Sequence, residues 1–149
     1  MNFNENQNPC KICTVDPTSH SFQIIPSFNQ QINLFYSCPA KATKYFESEG
    51  VIEHFRSHLQ KNNGKSWAYV LDCEGFTLRH ATQIQTSMAL ADLITGKYGD
   101  SLKKVWIINP TWTIQIIIQA IMPILTNRLR SIIETTNMSL EQIQGLSFF

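Results

Sequence analysis

The chain reads as an α/β domain, and three stretches carry that reading. Trp67-Ala68-Tyr69-Val70-Leu71 is a β-favouring run apolar on both faces, as in the middle of a sheet covered by helices, and Lys104-Val105-Trp106-Ile107-Ile108 is a second such run. Between them, Ile84, Met88, Leu90, Ala91, Leu93 and Ile94 recur at helical spacing over about 82–95, and Gly96 stops the pattern. With a long helix between two strands, a parallel crossover is the natural geometry.

Taken in order, residues 1–20 are polar, Asn-rich and punctuated by Pro9 and Pro17, which predicts a flexible N-terminal arm before a domain spanning 21–149. Residues 22–25 and 32–36, separated by Pro26-Ser27-Phe28-Asn29, predict two short strands in an edge hairpin. Ser37-Cys38-Pro39 can open a helix, since proline in a first turn lacks an N–H that would be unpaired anyway. Ala42, Tyr45, Phe46, Ile52, Phe55 and Leu59 then continue at mostly helical spacing, with Gly50 as a break. Asn62-Asn63-Gly64-Lys65 is a turn into the first central strand. After the second, Asn109-Pro110-Thr111 leads into a helix over about 113–125 that Pro123 should kink or end. A short strand over 131–135 follows, and Ser139-Leu140-Glu141-Gln142 reads as a capping box for a last short helix.

At 149 residues the chain has the size of one domain with no internal repeat. A net charge of +1 creates no field that would favour nucleic acid, so no nucleic-acid partner is expected. Charged residues are 15% against about 25% in a typical soluble domain, which implies either a surface covered by ligand, partner or membrane, or a Gln/Asn-rich polar one. No apolar run reaches the roughly 18–20 residues of a membrane span, and Met1-Asn2-Phe3-Asn4-Glu5 lacks a basic segment followed by an apolar one. A cytoplasmic location follows as the expectation. Cys10, Cys13, Cys38 and Cys73 are too few for a disulfide framework and read as reduced thiols. Cys10-x-x-Cys13 has the spacing of half a zinc site, and His54 and His58 lie one helical turn apart, but no second Cys/His pair adjoins either in sequence. No metal or other cofactor is therefore assigned.

Asp72-Cys73-Glu74-Gly75-Phe76 and Tyr98-Gly99-Asp100-Ser101-Leu102, in that order, are similar to the Asp-x-x-Gly plus an aliphatic residue and the Tyr-Pro-Glu-Arg-Leu of the Sec14-like, or CRAL-TRIO, lipid-binding domain family, which the chain resembles over about residues 66–135 and more weakly back to Phe35. Ile107-Ile108-Asn109-Pro110-Thr111-Trp112 and Met122-Pro123-Ile124-Leu125 then follow where the family has Ile-Ile-Asn-Ala-Pro-Trp and Lys-Pro-Phe-Leu. The resemblance implies a largely parallel sheet flooring a hydrophobic cavity, covered by a mobile gate helix at about 113–125. The residues agree: Ile114, Ile116, Ile117, Ile118, Ile121 and Ile124 leave only Gln115 and Gln119 strongly polar, giving a helix that must be buried on several sides or touch lipid.

The function expected is non-enzymatic binding of a lipid or other hydrophobic small molecule, with transfer or sensing of that molecule as its further use. Candidate wall residues are Val70, Trp106, Ile108, Trp112, Ile114, Ile117, Ile118, Ile121 and Met122, each of which is also an ordinary core residue by composition. For the headgroup the resemblance points to Asp100, where phosphoinositide-binding members have a glutamate. Their lysine position falls on Ser131, with Arg130 beside it. The serine and threonine that help hold choline in phosphatidylcholine-binding members fall on Trp67 and Tyr69, which disfavours that ligand. A compact form without the helical module that often precedes the domain is expected, similar to the Sec14-like domains of RhoGAP proteins. The alternative is accordingly an interaction module for a protein or a membrane surface, its cavity collapsed around Trp67, Trp106 and Trp112, with Lys103, Lys104, Arg128 and Arg130 meeting anionic headgroups. Glycine-rich phosphate loops, a Gly-x-Ser-x-Gly elbow and a His-Glu-x-x-His pair are all missing from the sequence. Asp72 and Glu74 after a strand read as a turn and a helix-start charge rather than a catalytic pair.

Overall fold

Trp67–Asp72 forms the middle strand, β3, with five of its six side chains buried, in a computed structural model that describes residues 9–147. The sheet runs in the order β1 (Gln23–Ile25), β2 (Asn33–Ser37), β3, β4 (Leu102–Ile108) and β5 (Ile133–Thr135). β1 and β2 are the expected antiparallel edge hairpin, pairing Gln23 with Tyr36 and Ile25 with Leu34. All remaining pairs are parallel, with Tyr69 opposite Val105 and Val105 opposite Ile133. The two tryptophan-bearing runs are thus adjacent parallel strands.

Each parallel step is bridged by helix. Between β2 and β3 lie a 3-10 turn (Pro39–Lys41) and α2 (Ser48–Asn62), rather than one helix broken at Gly50. Gly50 sits in the first turn of α2, and the chain leaves the helix through Asn63 and Gly64 in left-handed conformations, φ 54° and 76°. Between β3 and β4 come α3 (Leu78–Ala81) and α4 (Ile84–Thr95). The last crossover is α5 (Ile114–Ile121), a 3-10 turn (Met122–Ile124) holding Pro123, and α6 (Asn127–Ile132). Proline 123 ends the α-helix where the sequence placed the break, because it has no N–H to continue the ladder.

The two faces of the sheet pack differently. Phe35, Trp67, Tyr69, Val105 and Ile107 face the crossover helices. Leu34, Ala68, Val70, Trp106 and Ile108 face the other way, against Ile143 of α7 (Leu140–Gln144) and against Met138 and Leu146. The predicted capping box starts α7: Ser139 Oγ accepts from the Gln142 amide at 3.1 Å, and Gln142 Oε1 accepts from the Ser139 amide at 2.8 Å.

The stretch expected to be a flexible arm is a packed part of the domain over residues 9–20; residues 1–8 lie outside the described residues. It holds α1 (Lys11–Val15), and Cys10, Cys13, Ser19 and His20 are buried. Thr18 and Ser19 carbonyls accept from the Thr43 and Lys44 amides, both at 2.9 Å. Polar composition misled here because the few sulfur and imidazole side chains in the stretch are what it buries.

Candidate ligand-binding site

The C-terminal ends of three strands are tied together by one carboxylate. At the end of β3, Asp72 accepts from the Tyr36 hydroxyl of β2 at 2.6 Å, from Asn109 Nδ2 just past β4 at 3.0 Å, and from the Glu74 amide at 3.0 Å. Burial pushes this carboxyl up, but the three hydrogen bonds more than offset it and hold Asp72 below the usual carboxylate range. Gly75 then turns the chain at φ 76°, where a Cβ would meet Ala40 Cβ at 3.1 Å. The Asp-x-x-Gly stretch is thus a clasp, and it fixes the segment from which α3 and the site's wall depart.

Between the sheet and the crossover helices lies a cavity of about 180 Å³. Its floor is Tyr69 and Leu71 of β3, Leu102, Val105 and Ile107 of β4, and Ile133 of β5. Val51 and Phe55 of α2, Leu90, Ala91 and Ile94 of α4, and Leu129 and Ile132 of α6 form the walls. Ile114, Ile117, Ile118 and Ile121 of α5, with Met122, close it, while His20, Ser21, Pro39, Ala42 and Tyr45 bound one end.

Among the described residues, no Asp, Glu, Lys or Arg lines this space. Burial lowers His20 below the ordinary imidazole range and raises the Tyr45 and Tyr69 phenols, so all three are neutral near pH 7. Tyr69 shares a short hydrogen bond with the Ser37 hydroxyl. An uncharged pocket of this kind suits an apolar body with at most a few polar atoms.

α5 is held differently at its two ends. On the N-terminal side, the Thr111 and Thr113 hydroxyls both donate to the Phe76 carbonyl, at 3.0 and 2.9 Å. At the C-terminal side the helix gives way to the proline-containing 3-10 turn, where Arg130 donates to the Met122 carbonyl at 3.3 Å. Ile114 and Ile117 are buried, whereas Ile116 is 41% exposed and Ile124 54%.

Of the residues singled out in the sequence, the structure brings Ile114, Ile117, Ile118, Ile121 and Met122 together around the cavity. It does not bring Val70, Trp106 and Ile108 there; they are fully packed on the opposite face of the sheet. The reason is a one-residue matter: successive strand residues point to opposite faces, and in a strand buried on both sides no polar alternation marks which set faces the ligand. Their neighbours Tyr69, Leu71, Val105 and Ile107 take the places assigned to them. Trp112 lies outside too, 72% exposed. Neither it nor Trp67 nor Trp106 lines the cavity, so the tryptophans expected as plugs do not fill it.

Asp100 and Arg130, the headgroup candidates, are both exposed and are not lining residues. The basic patch is largely engaged internally. Arg128 donates to the Leu102 and Gly99 carbonyls, Lys103 to that of Asp100 at 3.3 Å, and Lys104 lies 3.8 Å from Glu134. The walls from α2, α4 and α6 were not singled out; their only sequence signal was the apolar stripe of an ordinary amphipathic helix.

A model of the CRAL/TRIO domain matches residues 13–145 of this chain. The fold is similar to the crystal structure of Sfh5, with a TM-score of 0.64 at 10% sequence identity over 91% of this chain and 55% of that one. The chain therefore spans little more than half of that protein's length. No curated protein matches it.

Proposed function

The chain belongs to the CRAL/TRIO domain family, whose members bind lipophilic small molecules, and from that premise we propose that the space beneath α5 is the ligand chamber and α5 its gate. The observation that carries the proposal is an uncharged cavity of about 180 Å³ between a parallel sheet and an isoleucine-rich helix. That volume is comparable to the dry apolar cavity of about 150 Å³ known to admit benzene, and is below the roughly 300–1,000 Å³ of pockets for drug-sized ligands. A whole acyl chain thus requires α5 to move. Anchored at Phe76 and interrupted at Pro123, the helix can swing at its C-terminal end while its N-terminal hydroxyl bonds persist.

The role proposed is binding without catalysis: the walls offer no carboxylate, and each methylene buried contributes about 0.8 kcal/mol with no chemistry required. Exposed Trp112, Ile116 and Ile124 favour loading at a membrane surface, since they present apolar area on and beside the gate. Cargo transfer or sensing follows from the same opening.

Native mass spectrometry of the chain from two expression hosts, combined with titration by a polyene fatty acid whose fluorescence rises in apolar surroundings, tests the proposal. A co-purifying amphiphile or saturable binding of the probe is expected, and Ala91→Phe, which places a ring in the cavity from α4, should weaken binding at least ~10-fold. Clean apo masses together with no saturable binding, or an Ala91→Phe protein that binds as the parent does, would refute it.

A further inference from the structure

Cys10 caps the start of α1 and Cys13 lies one turn further on, so both sulfurs face the same side of that short helix. Folding brings His20 and His54 against them: one donor atom from each of the four side chains falls within a cluster whose members all lie within 4.8 Å of one another, and all four residues are buried. We propose that Cys10, Cys13, His20 and His54 form a structural zinc site that pins the N-terminal segment to α2.

Geometry supports zinc in particular. Tetrahedral zinc with Zn–S of about 2.3 Å and Zn–N of about 2.05 Å separates a sulfur from a nitrogen by about 3.5–3.6 Å. Three sulfur–nitrogen distances match: Cys10 Sγ to His20 Nδ1 is 3.5 Å, Cys13 Sγ to His20 Nδ1 is 3.4 Å, and Cys13 Sγ to His54 Nδ1 is 3.5 Å. His54 is oriented from behind, as metal-ligating histidines are: its Nε2–H donates to the Phe22 carbonyl at 2.8 Å, which leaves the Nδ1 lone pair facing the sulfurs. The Nε2 of His20 has no hydrogen-bond partner, so only its cluster-side nitrogen is engaged. His58, one turn along the same helix, bonds through Nδ1 to the His54 carbonyl at 2.9 Å and is not one of the four clustered residues.

Zinc entry would release the two thiol protons to solvent, and two thiolates with Zn²⁺ and two neutral imidazoles sum to zero charge, with no oxidant or reductant involved. Two soft thiolates disfavour calcium and magnesium, and four protein ligands leave no open position for catalysis. Gly50 belongs to this design: a Cβ there would stand 3.3 Å from His20 Nε2. The zinc site does not depend on the ligand proposal, although His20 also borders the cavity.

The test uses the full chain purified under reducing conditions without chelator. Elemental analysis should find one zinc per chain, and cobalt substitution should give intense tetrahedral d–d bands with a thiolate-to-cobalt charge-transfer band. Stripping the metal should lower Tm by about 5 °C or more. Cys10→Ser/Cys13→Ser should lose the metal and both cobalt signatures, whereas Cys38→Ser should keep them. Should the double variant not fold, the cobalt spectrum and chelator-dependent Tm of the parent chain decide alone. A folded parent chain with no zinc and no charge-transfer band after reconstitution overturns the site, as does undiminished zinc in a folded double variant. An unchanged Tm on metal removal overturns its structural role.

Discussion

Ile107 and Ile108 are neighbours on β4, 4% and 2% exposed, yet the first lines the cavity and the second packs against α7. Replacing each by alanine therefore compares identical chemistry on the two sides of one strand. Buried Ile→Ala changes cost about 2–5 kcal/mol, the spread reflecting how many neighbours lose contact. Ile107 already borders empty space, so fewer atoms surround the deleted carbons and the cost should fall near ~2 kcal/mol; Ile108, wrapped by Ile143 and its companions, should cost ~4 kcal/mol. At about 2–4 °C per kcal/mol for a chain of this size, the Tm losses should be roughly 6 and 12 °C. Denaturant unfolding with the fatty-acid probe absent measures the stabilities, and probe titration of both variants supplies the second axis. Ile107→Ala should alter probe affinity and Ile108→Ala should leave it unchanged. Equal destabilisation with equal effects on binding, or the reverse order, would show that the sheet faces have been assigned wrongly and that the floor of the chamber is elsewhere.

Asp72→Asn should cost about 2 kcal/mol, because the Tyr36 hydroxyl and Asn109 amide lose a charged acceptor. Since the folded pKa of Asp72 is depressed, its contribution is complete above about pH 4, the range of a free Asp, and is lost as pH falls below it; the stability gap between parent and variant should close there in acid unfolding curves. Gly75→Ala should destabilise more than Gly64→Ala, although both glycines have φ 76°, because only the Cβ at 75 meets a neighbour, at 3.1 Å; about 2 against about 1 kcal/mol by urea denaturation is the expectation. Ser139→Ala removes the cap of α7 and should cost about 1 kcal/mol, read as a drop in urea midpoint at constant slope. Vesicle flotation with anionic lipid should weaken in Trp112→Ala and stay the same in Lys103→Ala/Lys104→Ala, because Trp112 is 72% exposed while Lys104 is 3.8 Å from Glu134.

Much of the architecture is legible without coordinates because it rests on local rules. The β3–α4–β4 order and the break at Pro123 follow from periodicity and backbone chemistry, and the cap at Ser139 from the residue three places on. So does the closing helix: Ile114, Ile117, Ile118 and Ile121 are too dense in apolar surface to stand in water, wherever the chain places them. The helix that Pro39 and the apolar spacing up to Leu59 predict starts later in the fold, because Pro39 begins only a 3-10 turn and α2 is delayed to Ser48.

Two things only the tertiary structure decided. One is the orientation of the central strands, where Val70 and Tyr69 are both apolar enough to face either side and the choice falls to whichever layer each side meets. The other is the meeting of Cys10 and Cys13 with His20 and His54, the last 41 residues beyond Cys13. Spacing in sequence records neighbours on one turn of helix; it carries no trace of donors that arrive from another element, and only packing of the N-terminal segment against α2 brings them within 4.8 Å of one another.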